Sequence, residues 1–300
     1  MEIVMILITG ASGSIGRHLV HHLRGEEITA FVRDPAVGDE LGCPYVVGDF
    51  DDPESVATAM TGVDRVFLNA GGAQPVTGEQ PMVRQQRVVI DAAIEAGVEH
   101  IVKVSVWHAR EGAKLAEGAH WVIEEHLKAS GLAWSILQPS GFMQNFRTGA
   151  AVFTENGDIL GAYGDSRVSY VDCSDIAACA AALLTVSPRA GETFVLTGPE
   201  ALTHTEIAAK LSAVAGREIG YVDLPAQAFA ARLASNGLPA RFAQDVAALF
   251  AEVAEGRLAP TTDAVADLTG RPPRTFDDFL RDNAETIRES WSGSAARVSH

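Results

Sequence analysis

Three glycines spaced three apart, in Gly10-Ala-Ser-Gly13-Ser-Ile-Gly16, follow an apolar run and lead into a segment of helical periodicity, Ile15–Leu23. That arrangement suits one kind of chemistry. Gly10 permits a tight turn, Gly13 lets backbone approach a pyrophosphate, and Gly16 lets the helix pack closely on the strand before it. The free N–H groups of the helix start carry a partial positive charge, so Ser12, Ser14 and Ile15 join the glycines as expected contacts to a dinucleotide. After the next apolar run stands Val32-Arg33-Asp34-Pro35. An acid at this place bonds the ribose 2′-hydroxyl of NAD, whereas a cation suits the 2′-phosphate of NADP. Arg33 comes first, so NADP(H) is the expected cofactor, with NAD(H) bound through Asp34 as the alternative.

Further along, Val47-Gly48-Asp49-Phe50 ends a third run, where such folds hold the adenine edge; Asp49 reads equally as a loop cap. Asn69-Ala70-Gly71-Gly72 ends a fourth run, with glycines that let backbone lie against a cofactor. Ser105 closes the fifth and is placed to contact a ribose, or is a plain strand serine. Pro139, Ser140 and Phe142, after the sixth, complete the expected cofactor contacts. Trp107, His108, Phe142, Met143 and Phe146 form an aromatic, apolar set suited to a flat unsaturated ligand, or to filling a gap between lobes. His120 and Glu124 are four apart, on one helical face, where a carboxylate could orient an imidazole. His120 could donate a proton, contact the nicotinamide ribose, or cap local structure.

These residues need elements to position them. Apolar runs at Ile3–Ile8, Ile28–Val32, Tyr45–Val47, Arg65–Leu68, Ile101–Ser105 and Ala133–Leu137 alternate with helical patterns at Ile15–Leu23, Pro53–Met60, Val83–Ala96 and Ala119–Ala129. Near-continuous apolar strands between helices predict an α/β fold with a doubly wound parallel sheet, the Rossmann arrangement. Residues 1–150 form that domain. Residues 151–285 are expected to form a smaller, mostly helical C-terminal lobe partly interleaved with the sheet, with 174–197 returning to the first domain. Within the lobe Thr203–Gly216 and Ala226–Glu255 read as helical, and Asp277–Ser290 as a last amphipathic helix. The small, polar end of the chain, 286–300 at its widest, is expected to be disordered.

Composition narrows the function classes. The chain has 300 residues, 23 basic against 39 acidic side chains and a formal charge of −16, which disfavours nucleic acid as a partner. Cys43, Cys173 and Cys179 lack metal-ligand spacing and suit a reducing compartment, so no metal is expected. The start, with Glu2 before a short apolar run, reads as a strand and not an export signal. No segment approaches a membrane span, so a cytoplasmic protein acting on a small molecule is expected. Monomer and homodimer are equally compatible with the sequence.

A resemblance then becomes specific. Phe31-Val-Arg-Asp-Pro35, Gly48-Asp-Phe-Asp-Asp-Pro53, Ala93-Ile-Glu-Ala-Gly-Val98, Glu124-Glu-His-Leu-Lys-Ala-Ser-Gly131, Gly141-Phe-Met-Gln-Asn-Phe146, Phe194-Val-Leu-Thr-Gly-Pro199 and Leu268-Thr-Gly-Arg271 resemble the NmrA-like family of atypical short-chain dehydrogenase/reductases. The match runs from about Ile3 to about Asn283. The resemblance implies a Rossmann domain with a small C-terminal lobe, and membership alongside NADPH-dependent quinone and triphenylmethane dye reductases or redox-sensing regulators without turnover. The Tyr-x-x-x-Lys pair of the main short-chain branch is absent, since no tyrosine lies between Tyr45 and Tyr163. At the matching position stands His120-Trp-Val-Ile-Glu124, which resembles the quinone and dye reductases, whereas several sensor-like members carry lysine there. Gln138 stands where the family often has arginine. The expected function is hydride transfer from NADPH to a small apolar acceptor such as a quinone, enone, ketone or dye; the alternative is a nucleotide-binding sensor. An epimerase or dehydratase would be expected to use the missing tyrosine-lysine pair.

Overall fold

The computed structural model describes residues 4–76, 78–148, 152–186 and 189–292. In chain order it runs β1 (Met5–Ile8), α1 (Ser14–His22), β2 (Glu27–Val32), α2 (Pro35–Leu41), β3 (Tyr45–Val47), α3 (Pro53–Ala59), β4 (Arg65–Leu68), α4 (Pro81–Ala96), β5 (His100–Val104), α5 (Leu115–Ala129) and β6 (Ala133–Pro139). It continues through α6 (Asn145–Thr148), β7 (Ile159–Gly161), α7 (Cys173–Thr185), β8 (Glu192–Leu196), α8 (His204–Ala215) and β9 (Tyr221–Asp223). The helices α9 (Ala226–Ser235), α10 (Ala240–Ala254), α11 (Ala264–Thr269), α12 (Phe276–Asp282) and α13 (Ala284–Ser292) complete it.

Seven strands form one all-parallel sheet in the order β3-β2-β1-β4-β5-β6-β8. Parallel pairing requires helical crossovers, and the helices cover both faces: α1 packs with α7 and α7 with α11, while α3, α4 and α5 pack in sequence. Central strands are therefore buried on both sides, which is why Ile6, Leu7 and Ile8 of β1 and Val66, Phe67 and Leu68 of β4 are all sealed from solvent. Strand order reverses between β1 and β4, and a ligand crevice opens outside the carboxyl ends of strands at such a point. Local chemistry sets the helix starts. Asp34 and Asp52 each accept a backbone N–H two residues on, with proline at the first helical position of α2 and α3.

The chain divides into two compact units. The first comprises residues up to 139 with 173–196 and 263–271; the second comprises 140–172, 197–262 and 272 onwards. The second unit is helical around two apolar clusters, one on Phe276, Phe279, Ile207 and Leu211, the other on Phe229, Leu233 and Ala247. It also holds a small parallel sheet of β7 and β9, too short at three residues each to show a period in the sequence. The helical stretch expected over 226–255 is two helices, parted at Asn236-Gly237-Leu238-Pro239, because Gly237 takes φ +95° and Pro239 cannot continue α9. A disordered tail from 286 is not what the structure shows: α13 extends to Ser292 and buries Ile287 in the second unit's core. The remainder of that expected tail, 293–300, lies outside the described residues.

Two buried polar features bear on stability. Gln86 lies on the core-facing stripe of α4 between Met82, Val83, Val89 and Ile90, is fully buried, and neither end of its amide meets a partner among the described residues. An unmet buried amide costs about 1–3 kcal/mol, so Gln86→Leu should stabilise the protein by roughly that amount, read as a higher denaturation midpoint. Burial also pushes His100 and His204 down to about 4. Since the unfolded chain binds those protons first, stability is full above pH ~6.5 and falls as pH drops towards about 4, on the order of 2–3 kcal/mol for each histidine. Denaturant titrations across that window should show the loss, and His100→Gln should remove about half of it, the His204 share remaining.

Candidate active site

The glycine turn joins β1 to α1. Gly10 adopts φ +63°, and a Cβ there would lie 2.9 Å from the Asn69 carbonyl oxygen. At Gly16 a Cβ would lie 2.2 Å from the Gly10 oxygen and 2.6 Å from Ala11 Cα. Both contacts are backbone, so neither position admits a side chain without moving the turn. Gly13 is the N-cap of α1, extended at φ −75° and ψ 173°, with no side chain capping the helix. The first N–H groups of α1 are thus left to a ligand, as an anion requires. Ile15 is buried, whereas Ser12 is exposed and its carbonyl accepts from Arg17 Nε at 3.0 Å. The Thr9 hydroxyl accepts the Asn69 N–H at 2.9 Å and lies 2.9 Å from the Phe67 and Asn69 carbonyls, tying the end of β1 to the end of β4. Beyond Asn69 and Ala70, Gly71 and Gly72 face open space.

At the end of β2 the two charged candidates separate. The Asp34 carboxylate accepts the Ala36 N–H at 2.9 Å and is spent as the cap of α2. Arg33 is exposed and has no hydrogen-bond or ion-pair partner among the described residues. A free guanidinium beside an occupied carboxylate fits a 2′-phosphate and not a bare ribose hydroxyl pair. Asp49 is half-buried; one carboxylate oxygen accepts the Asp51 N–H at 2.9 Å, which is the loop-cap role, and Ser55 holds its backbone N–H at 3.0 Å. Phe50 stacks on Phe31 with centroids 5.3 Å apart, so that ring is engaged in packing beside the third strand. The residues present therefore fit a phosphorylated dinucleotide along β1, β2 and β4.

The polar cluster expected on α5 is differently wired. His120 and Glu124 do share a face and both are buried, yet they do not bond each other. His120 Nδ1 meets Lys103 Nζ at 2.8 Å. Glu124 Oε1 accepts the Ser105 hydroxyl in a short bond and the Gln138 amide at 2.9 Å, while Oε2 lies 3.3 Å from Lys128 Nζ. The carboxylate is drawn away because two donors from β5 and β6 and a lysine one turn on converge upon it, outweighing an imidazole that already has a cation. Lys103 was not signalled as a site residue, although a lysine inside the run His100-Ile-Val-Lys-Val104 must be buried if the strand is central. Burial pushes its amine down to about 7, with Glu124 acting to raise it and Lys128 to lower it. Burial, and secondarily Lys103, hold His120 well below the ordinary imidazole value, so the ring is neutral at pH 7.

Around this cluster, the Trp107 and His108 rings stack at 4.7 Å and 12°, and His108 sits at φ +64°, an unusual conformation for a residue with a Cβ. Pro139, closing β6, accepts the Trp107 N–H at 3.0 Å. In the second unit, Ser140 is buried and its hydroxyl meets no partner among the described residues. Phe142 is half-buried and bridges to Val171. Met143 and Phe146 do not form a solvent-facing rim. They are 1% and 3% exposed within the second unit's core, Phe146 edge-on to Tyr170 at 5.0 Å and to Phe276 at 5.6 Å.

Comparison with known proteins bears on this geometry. The model of the NmrA-like family matches residues 4–280. The chain belongs to the NmrA-like family. Within it, the chain is 34% identical to an NAD(P)H azoreductase of Xenophilus azovorans, over 93% of this chain and 98% of that protein. It is 30% identical to quinone oxidoreductase 2 of Escherichia coli strain K12, over 92% and 97%. The structure of the Escherichia coli NADPH-dependent quinone oxidoreductase complexed with NADPH superposes with a TM-score of 0.79 at 30% identity, covering 93% of this chain and 99% of that one. The Citrobacter sp. triphenylmethane reductase complexed with NADP(H) superposes at 0.78 with 26% identity, covering 92% and 99%.

The turn yields a direct prediction. Gly16→Ala should weaken NADPH binding by about fivefold to 150-fold, the equivalent of the 1–3 kcal/mol typical of overpacking, when measured by fluorescence titration of the purified protein. Ser12→Ala, on the exposed side of the same turn, should change it little.

Proposed function

We propose that this chain is an NADP(H)-dependent reductase that passes hydride to a small apolar acceptor of the quinone, enone, ketone or dye class. The observation that carries the cofactor assignment is the division of labour after β2, with Arg33 unpartnered and Asp34 occupied as a helix cap. The acceptor class rests on the family's reductases and on the stacked Trp107 and His108 rings, two and three residues beyond Ser105. Bound NADPH would supply the hydride. The protein's own part is placement and charge: the glycine turn and the start of α1 hold the phosphates, and Arg33 selects the 2′-phosphate. His120 offers a neutral ring at the site, and Glu124 keeps Ser105 and Gln138 in fixed orientation. Among the described residues no helix is long and apolar enough to cross a membrane and no group of acidic, histidine and cysteine side chains could hold a metal. We further place the protein in the cytoplasm, without a nucleic-acid partner, on its acidic balance and free cysteines.

The test is NADPH oxidation by the purified protein against quinones, enones, ketones and triphenylmethane dyes, with NADH in parallel. Turnover is expected with NADPH preferred. Arg33→Ala should raise the NADPH KM by about tenfold to a hundredfold, the loss of one or two charge-assisted bonds, and leave the NADH value nearly unchanged. Tight NADPH binding with no oxidation by any acceptor would favour a nucleotide sensor instead.

A further inference from the structure

Lys103 occupies the middle of a parallel strand, between the buried Val102 and Val104, and none of its surface is exposed. A lysine placed there for structure alone would pair with a carboxylate or extend its ammonium to water. This one does neither. Among the described residues its Nζ bonds the Val104 carbonyl at 3.0 Å and His120 Nδ1 at 2.8 Å, and no carboxylate lies within ion-pair distance. The charges that act on it are the Glu124 carboxylate and the Lys128 ammonium, with the His120 ring in direct contact. His120 in turn has no second partner at Nε2 among the described residues, and Nε2 is not sealed from solvent.

We infer that Lys103 is the proton reservoir of the reaction: its ammonium holds His120 Nδ1 as an acceptor, keeps the ring proton on Nε2, and refills the ring when that proton is given to the acceptor. This rests on the reductase reading above. Hydride arrives at the acceptor with its electron pair and leaves negative charge on the acceptor's oxygen. The Nε2–H bond breaks and an O–H bond forms there. As it does, a Lys103 Nζ–H bond breaks and an Nδ1–H bond forms, so the ring remains neutral as its other tautomer and Lys103 becomes a neutral amine. A solvent proton then binds Nε2 and the Nδ1 proton returns to Nζ. One hydride and one proton are consumed for each quinone, enone or ketone reduced, whereas a cationic dye takes the hydride alone. The arrangement answers a specific difficulty: a deeply buried imidazole is not protonated at neutral pH, and without a proton supplied to Nδ1 its Nε2–H could leave only by forming an imidazolate. An amine titrating near 7 is matched to that supply.

The experiment has two arms on the full-length protein with NADPH bound. In the first, kcat is followed against pH for wild type and for Lys103→Met, whose NADPH affinity reports retained folding. Wild-type kcat should fall as pH rises through about 7; Lys103→Met should lose about a hundredfold or more, the value of positioned proton transfer, and lose that limb. A purely structural lysine would leave the limb in place, which overturns the proposal. In the second arm, which needs no Lys103 variant, 15N-labelled histidine NMR follows the His120 ring. Its signals should respond to a titration near 7 without becoming doubly protonated, and Glu124→Gln should move that titration to lower pH. A ring indifferent to that titration, or one that becomes imidazolium, overturns the proposal. Failure of the reductase reading shows separately, as a ring that titrates as expected in a protein that oxidises no NADPH with any acceptor; the reservoir role then falls with it.

Discussion

One close approach governs the first unit: α1 begins so near the turn after β1 that a single methyl group at Gly16 would collide with the Gly10 carbonyl. The contact fixes where the helix starts and which way its free N–H groups point. The Thr9 hydroxyl then ties the same turn to the end of β4, so the two strands flanking the reversal of strand order hold their ends in register. Every polar assignment nearby follows from that frame. A cofactor laid across the turn would place its phosphates at the start of α1 and would reach the end of β2 where Arg33 stands.

The second organising feature is a set of buried charges sorted into two pairs of roles. Glu124 gathers the Ser105 hydroxyl, the Gln138 amide and Lys128, while Lys103 and His120 hold each other. In a dry interior each charge needs several donors or acceptors, and this sorting supplies them. It also explains how the site manages with glutamine at position 138. An arginine there would add a third cation to the Lys103 and Lys128 pair acting around Glu124, whereas the amide of Gln138 satisfies Glu124 without adding charge.

Much of the fold was legible in the sequence because central parallel strands are apolar on both faces and stand out as short continuous runs. The glycine turn was legible for a related reason, since glycines at fixed offsets from a strand announce the close backbone approach that the structure shows at Gly10 and Gly16. What could not be read has a common cause. The helical spacing of His120 and Glu124 correctly placed them on one face, but their partners come from β5 and β6, and no local rule reports a contact across the sheet. Lys103 was hidden inside an apolar run, Met143 and Phe146 read the same whether they line a pocket or fill a core, and β7 and β9 are too short to carry a pattern.

The measurement that tests the central claim most directly is a single-turnover reaction of the protein with NADPH carrying deuterium at the transferred position of C4, mixed with an enone acceptor. The account predicts slower oxidation than with ordinary NADPH and one deuterium bound to carbon in the reduced product. Unlabelled product, or bound NADPH that stays reduced in the presence of every acceptor class, would contradict it.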